Sequence, residues 1–418
     1  MKKLQIFYLC CLGLFLVSGC KQEQKVQDPA EGVTEQRGKE GFFQWQFPNK
    51  DAEKAWEYYS YSEDRWWGTF PKDLKIPSGD MYEEFPWALG PFEKHEANPV
   101  LAPSEGKWDT GRRDGGVHNG AVIVKDDVFY YIYRGEKPID VELDTDINYI
   151  CDIGIATSTD GINFTKDTIN SPLFRVGEDR KYSYEDVNIV KHGDTYYLYC
   201  NQWYWPDTDN YKINGTFLAT SKDLINWKKH GIVFPDADRT HRNAVVLANP
   251  ENEAVRVNGK FVMYINDGLM AYSDDLINWK SFEVPEENRF PGGEGCVALA
   301  DYDPENPDNI LLFTGGNHTG NFYAIGEVLF KKEDPTRPVS YLPRPVMAAD
   351  PNIPWENGFS AEDSGKMVSA FSDCIFFNAL TRHNGKWWMY YGGSEYYTCL
   401  ATAPAETTAV SAKSLTGI

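Results

Sequence analysis

Positive charge is scarce in this 418-residue chain: 41 Lys and Arg stand against 62 Asp and Glu, for a formal net charge of −21. No basic, phosphate-tracking surface can be built from that balance, which argues against nucleic acid as a partner. Long apolar runs are scarce too. The run from Leu4 to Val17 is too short to span a bilayer. Cysteine is sparse and irregular: Cys10, Cys11 and Cys20 cluster at the start, while Cys151, Cys200, Cys296, Cys374 and Cys399 are scattered without C-x-x-C spacing. An odd, unspaced set inside apolar segments argues against both a disulfide framework and a zinc site, and predicts five buried small hydrophobes. No metal motif stands out, and the residues call for no cofactor. What the chain has in surplus is aromatic: 13 Trp, 25 Tyr and 23 Phe, enough to fill a β core and still supply flat platforms for stacking on sugars.

The first segment reads as Met1-Lys2-Lys3, an apolar stretch, then Val17-Ser18-Gly19-Cys20, the three parts of an export signal. Its last four residues resemble the bacterial lipobox, in which the cysteine is acylated and becomes the mature N-terminus. That resemblance implies a lipoprotein signal over 1–19, lipidation at Cys20, and a membrane-anchored protein on the periplasmic or cell-surface face of the outer membrane. Residues 20–40 are polar and aperiodic, too poor in apolar surface to offset ordering entropy, and are expected to form a flexible tether. Residues 41–95 are aromatic and irregular, with one short helical pattern near Ala52 to Tyr59, and are expected to pack as an N-terminal extension on the domain at 96–418.

That domain repeats. A turn followed by an aromatic strand occurs at Asp126 to Tyr133, His192 to Tyr199, Asn258 to Tyr264 and Asn384 to Tyr391, with a weaker copy at Asp308 to Phe313. A second unit, Ser/Thr-x-Asp followed by Gly or Leu, closes three of the repeats around Ser158, Ser221 and Ser273, each with an aromatic residue after it: Phe164, Trp227 and Trp279. The Asp can bond nearby backbone and fix a turn, and the aromatic restarts a strand and plugs between neighbouring units. Copies spaced roughly 50 to 65 residues apart suit one four-stranded blade each, so the expectation is an all-β, five-bladed propeller with a short irregular N-terminal extension. The fourth blade is the most weakly marked.

In a propeller the innermost strand of each blade begins at the central funnel. Residues just ahead of those strands are therefore the candidates to face a ligand: His118 and Asn119, Glu185 and Asp186, Arg242 to Glu253, Glu294, and Ser372 with Asp373. From Asn98-Pro99 to Pro404, the order of motifs resembles glycoside hydrolase family 130, the β-mannoside phosphorylases and β-mannosidases. It runs through His118-Asn119-Gly120-Ala121, Tyr133-Arg134, Glu185-Asp186, Arg242-Asn243-Ala244-Val245 and Tyr390-Tyr391-Gly392-Gly393. The resemblance implies Asp186 as proton donor, with Asn119 and Arg134 holding the terminal sugar. Beside it, His118, Glu185, Arg242, Asn243 and Asp373 are expected to bind substrate.

One departure bears on the reaction. The family has Pro-Arg after Glu-Asp, and this chain has Val187-Asn188, with no arginine between Arg180 and Arg239. Phosphorolysis needs pre-set cations to hold a phosphate dianion, and Arg239, His241 and Arg242 are what remain. Water is thus the expected nucleophile, in an exo-acting, inverting hydrolase that removes a terminal β-mannoside. A base is then required, with two carboxyl groups roughly 6.5–9.5 Å apart. Glu294 and Glu253 are the leading choices, with Glu251 and Asp373 behind them. Three alternatives stay open: a β-mannoside phosphorylase; a family 43-like or 117-like glycosidase, for which blade one offers Asn119 and only Asp114 nearby; and a propeller that binds glycan without cleaving it.

Overall fold

The computed structural model describes residues 81–111, 115–138, 149–174, 182–207, 210–237, 241–266, 268–289, 294–315, 323–342, 345–350, 352–369 and 374–405. The leader, Cys20, the tether and residues 41–80 of the extension lie outside the described residues. Among those described, no helix is long and apolar enough to cross a membrane.

Five antiparallel sheets follow one another along the chain. After a four-residue helix, Met81–Glu84, comes β1 (Glu93–Lys94). Blade one holds β2 (Val117–Lys125), β3 (Val128–Pro138), β4 (Tyr149–Ser158) and β5 (Thr165–Lys166). Blade two holds β6 (Tyr182–His192), β7 (Thr195–Asp207), β8 (Asn210–Ser221) and β9 (Trp227–Ile232). Blade three holds β10 (Val245–Val246), β12 (Lys260–Ile265), β13 (Leu269–Ser273) and β14 (Trp279–Glu283), with β11 (Arg256–Val257) also paired to β12. Blade four holds β15 (Glu294–Ala300), β16 (Asn309–Gly315), β17 (Ile325–Lys331) and β18 (Ser340–Tyr341). Blade five holds β19 (Ile375–His383), β20 (Lys386–Gly393) and β21 (Tyr397–Pro404). Its outermost place is filled by β1, with Glu93 opposite Thr402 and Lys94 opposite Ala401. The five-bladed propeller expected from the repeats is the architecture observed, weak fourth blade included.

The expected boundary at residue 96 cuts through this closure, because the end of the N-terminal segment is a strand of the ring itself. Two residues carry no periodicity that would mark them as a strand. Lys94 Nζ lies 2.5 Å from the fully buried Glu356 carboxylate and 2.8 Å from the Ala348 carbonyl. Tyr302 Oη donates to the Trp87 carbonyl, and Leu89 N donates to Glu327, whose carboxyl burial pushes well up.

The turns account for the repeat seen in the sequence. At the end remote from the funnel, strands one and two of the blades are joined by tight hairpins whose left-handed positions are Asp126-Asp127, Asn258-Gly259 and Asn384-Gly385. Such mirror-image turns match strand twist and favour Asn, Asp and Gly. In the second unit, Asp160, Asp223 and Asp275 each accept hydrogen bonds from the serine two residues before and from the backbone two and three residues after. Much of the aromatic surplus is spent at blade seams. Tyr390, Tyr199 and Tyr264, all essentially buried, reach into the next blade and donate to the carbonyls of Gly161, Leu276 and Pro335. Burying such a side chain contributes about 1.5–3 kcal/mol, and leaving its phenol unpaired would cost about 1–3 kcal/mol, so each ring needs its carbonyl. The five scattered cysteines are free and buried, as expected.

One loop closes the axis opposite the funnel. Residues 248–254 leave blade three and touch every other blade. Asn252 Nδ2 donates to Val122 O in blade one, and Lys191 N to Asn252 O in blade two. Ala248 N donates to Ala298 O in blade four, and Arg382 N of blade five to Pro250 O. Above the loop a cavity of about 30 Å³ lies between the inner strands, lined in part by Asn188, Asn249, Asn252 and Asn378.

Candidate active site

The inner strands do not run straight into the funnel. Between His118 and Ala121, and again between Glu185 and Asn188, the register slips by a bulge. Asn119 (φ 46°), Asp186 (φ 56°) and Asn243 (φ 52°) adopt left-handed backbone at matching places in blades one, two and three. Asn and Asp tolerate that conformation better than most residues, and a bulge re-aims the side chain it carries.

Asp186 is the meeting point. Its Oδ1 accepts from Asn119 Nδ2 at 2.9 Å and from an Arg134 guanidinium nitrogen at 3.2 Å, and its Oδ2 accepts from Asn201 Nδ2 at 3.0 Å. The side chain keeps 13% exposure, so it is held from behind and open in front. Asn201, from β7, also joins blades two and three: its Nδ2 donates to Asn243 Oδ1 at 2.5 Å and its Oδ1 accepts from Asn243 N at 2.9 Å.

Arg134 is ringed by carboxylates. Besides Asp186 it lies 2.5 Å from Glu136 and 3.2 Å from Glu185. Glu136 is fully buried and also meets His118 Nε2 at 3.2 Å. A Cβ on Gly115 would fall 2.0 Å from Glu136 Oε2, so the carboxylate can sit there only beside a glycine. Arg242 is more open: its guanidinium is 4.0 Å from Glu185 and the side chain is one-third exposed. Glu294, partly exposed, accepts from Asn266 Nδ2 at 3.3 Å. Glu395, on the β20–β21 hairpin at the funnel end, is partly exposed, and among the described residues its carboxyl has no hydrogen-bond or ion-pair partner. Electrostatically it faces His118, Arg134, Glu136 and Asp186.

Among the described residues, five carboxyl groups thus crowd around two guanidinium groups. Burial raises Glu185 to about 7 against the opposing pull of Arg134. Burial also raises Glu294 to about 7, with Arg242 opposing and Asp186 adding to the shift. Glu395 is raised by burial, with His118 and Arg134 opposing. Tyr323 is raised by burial and by its neighbours Glu294 and Glu395, and packs edge-on to Phe376 at 5.4 Å. Perturbed groups gathered in one concave place mark a functional site.

Of the residues singled out in the sequence, Asn119, Arg134, Glu185, Asp186, Arg242, Asn243 and Glu294 come together here. His118 and Glu185 do so differently from the substrate contacts expected of them: both are buried, and both act on the funnel through the Arg134 network. Glu253 is a correction. It lies at the opposite end of the ring, where it accepts from Gly193 N at 2.9 Å and meets His192, roughly 20 Å from Glu185 at the ordinary strand rise. Glu251 is there too, paired with Arg382. Both sit beyond the inner strand of blade three, and the chain has already crossed the sheet by the time it reaches them. The His241 ring packs on Phe234 at 4.5 Å. Asp114, Arg239, Ser372 and Asp373 lie outside the described residues. Sequence reasoning missed Glu136, Asn201, Asn266, Tyr323 and Glu395. An acidic residue between Gly392-Gly393 and the next aromatic strand was the available signal for the last.

The protein family described as beta-1,4-mannooligosaccharide phosphorylase, glycoside hydrolase family 130, matches residues 92–410. A 1,2-beta-oligomannan phosphorylase of Thermoanaerobacter sp. (strain X514) is 31% identical over 62% of this chain and 82% of its own length. A beta-1,2-mannobiose phosphorylase of the same organism is 27% identical over 74% of this chain and 95% of its own. Among solved structures, one from the family of mannoside phosphorylases containing hydrolases that target β-1,2-mannosidic linkages in Candida mannan superposes with TM-score 0.60 at 23% identity. It covers 79% of this chain and 96% of that one. The beta-1,2-mannobiose phosphorylase of Listeria innocua superposes with TM-score 0.57 at 18% identity, over 76% and 98%. At those identities the two structures speak to the fold, while the match over residues 92–410 speaks to the family. With Asn119, Arg134 and Asp186 assembled at the floor of the funnel, the chain belongs to glycoside hydrolase family 130 and is an enzyme acting on β-mannosidic linkages.

Proposed function

We propose that this enzyme removes a terminal mannosyl unit from a β-mannoside by single displacement with inversion, with Asp186 as the proton donor to the departing oxygen. The observation that carries the reading is the grip on Asp186: three donors from blades one and two fix the carboxyl while its outer face stays open to the funnel. The loop 248–254 blocks the far end of the axis, so a glycan enters from one side and presents its terminus. That geometry supports exo action.

The two nucleophiles weighed for the reaction find different support. Inorganic phosphate is favoured by the curated relatives, both phosphorylases, and takes precedence here over the hydrolysis expected from the sequence. Arg242 is the cation suited to hold it, being one-third exposed and, among the described residues, paired only at 4.0 Å. Glu185 and Glu294 flank Arg242 and take up protons readily near neutrality, which lowers the repulsion an arriving dianion would meet. Water is favoured by a different observation, the surplus of carboxyl groups over cations among the described residues. Glu294, raised to about 7 by burial, has the affinity of a general base working at neutral pH.

Incubation with β-1,2-mannobiose, with and without inorganic phosphate, tests the choice. Phosphate-dependent release of mannose 1-phosphate is the expected result. Free mannose released at the same rate without phosphate overturns phosphorolysis and leaves water as the nucleophile. No cleavage of any β-mannoside across a panel of linkages overturns the reading as a whole.

A further inference from the structure

The hairpin that presents Glu395 is built against its own conformational preference. Gly393 O accepts from Tyr396 N at 3.0 Å, which closes a four-residue turn with Ser394 (φ 50°) and Glu395 (φ 53°) at its centre. A turn with both central residues left-handed favours Gly, Asn and Asp. The corresponding hairpin of blade three meets the need with Gly268 (φ 70°), and the remote hairpins of blades three and five meet it with Asn-Gly. Here the positions are Ser and Glu. A strained pair of this kind persists only where its surroundings over-determine it, and such places cluster at functional sites.

Ser394 is over-determined. It is fully buried, and its N donates to Cys374 O at 2.8 Å. Its Oγ accepts from Gly358 N at 2.8 Å, and its carbonyl accepts from Ser369 Oγ at 2.6 Å. The next carbonyl, that of Glu395, accepts from Gly116 N at 2.9 Å, and Tyr396 O accepts from Val117 N at 3.0 Å. The two contacts to Gly358 and Ser369 come from one segment, which doubles back on itself through Val368 N to Gly358 O at 2.7 Å. Both backbone groups of Ser394 and the carbonyls of Gly393, Glu395 and Tyr396 are paired, while the Glu395 carboxyl, facing Asp186 and Arg134, is left without a partner among the described residues.

We propose that Ser394 is a positioning residue: the segment from Gly358 to Ser369 latches its hydroxyl and carbonyl, and so holds the Glu395 carboxyl against the hydroxyl groups of the bound sugar. The inference rests on reading the funnel as the sugar site. Its logic is that a carboxylate fixed by its own backbone, with no side-chain partner to satisfy, keeps its lone pairs for a ligand and loses little freedom on binding.

A double-mutant cycle tests it, with Ser394→Gly and Glu395→Ala measured singly and together. The readouts are kcat and KM on β-1,2-mannobiose with phosphate present, and calorimetric affinity for mannose. Glycine accepts the left-handed conformation without strain, so Ser394→Gly keeps the turn, its carbonyl still held by Ser369 Oγ, while releasing the hydroxyl half of the latch. Ser394→Gly is expected to lower kcat/KM about 10- to 100-fold, chiefly through KM, since small misplacements of a positioned group carry penalties of that order. In the Glu395→Ala background the same change should add less than about a further twofold, and mannose affinity should follow the same pattern, because residues acting through one another are non-additive. Equal losses in both backgrounds, or an unchanged Ser394→Gly enzyme, overturn the inference. So does a Glu395→Ala enzyme that binds and turns over like the wild type. If the wild-type protein neither binds mannose nor cleaves mannobiose, the reading of the funnel fails first, and the latch with it.

Discussion

The two ends of the propeller are made from the same strands and differ in how far their polar groups are satisfied. At the remote end, tight turns use Asn-Gly and Asp-Asp where the backbone needs them, and the loop 248–254 ties five blades with backbone hydrogen bonds and the Asn252 side chain. At the funnel end, Asn119, Asp186, Asn243, Ser394 and Glu395 occupy left-handed backbone, and carboxyl groups outnumber cations among the described residues. The contrast separates residues that hold the ring from residues that act on a ligand. An acidic side chain belongs to one group or the other according to which end of the blade it occupies, as Glu294 at the funnel and Glu253 at the remote end show.

Substitutions can break that contrast, and the sharpest is at Asp186. Asp186→Asn is expected to lower turnover of β-1,2-mannobiose about 10²- to 10⁴-fold while the fold is retained, as loss of a general acid does. Initial rates beside a thermal melt check it, and an unchanged rate would remove Asp186 from the chemistry. Glu294→Gln comes next and sharpens the choice of nucleophile. If water attacks, the wild-type rate rises as Glu294 loses its proton across pH 7, and the variant loses that rise together with roughly 10²-fold in rate. If phosphate attacks, the variant keeps most of its activity in phosphate buffer. A pH–rate profile of both proteins with and without phosphate distinguishes the two.

At the remote end the effects should move from activity to stability. Asn252→Ala removes the hydrogen bond to Val122 O from a residue whose φ is 62°, and is expected to cost about 1–2 kcal/mol in urea unfolding with kcat unchanged. A fall in kcat there would mean that the plug communicates with the funnel. Smallest is Glu253→Ala: its contacts are solvent-exposed, so unfolding should shift by less than about 0.5 kcal/mol and turnover should not move. A large loss of turnover would return Glu253 to the list of bases.

The propeller was legible because its turn chemistry is local. Asp160, Asp223 and Asp275 each bond only their own loop, so the same short string yields the same turn three times whatever the blade packs against. Asn119, Asp186 and Arg242 were legible for a related reason, since they lie in or just before the inner strand that precedes each aromatic repeat. What could not be read depends on pairing across distance. Strand β1 is two residues long and exists because Thr402 and Ala401 are opposite it. Asn201 and Glu136 sit inside second strands, where an alternating pattern makes one polar residue resemble any other, and only pairing across the sheet brings Asn201 to Asp186 and Glu136 to Arg134 and His118. Glu395 belongs to a different hairpin from the ones that mark the inner strands, although it arrives at the same funnel.

The closing strand also sets an order of events while the chain is being made. Glu93 and Lys94 leave the ribosome long before β21, and roughly 300 residues separate the two strands that pair, a loop whose closure is entropically costly and slow. At about 5–20 residues per second the first blade waits on the order of 15–60 s for the last. Until blade four and then blade five emerge, the apolar side chains around Leu89 and Phe92 have no blade to cover them, so a growing chain of this protein is most exposed to misassembly at the point where the finished ring is fastened.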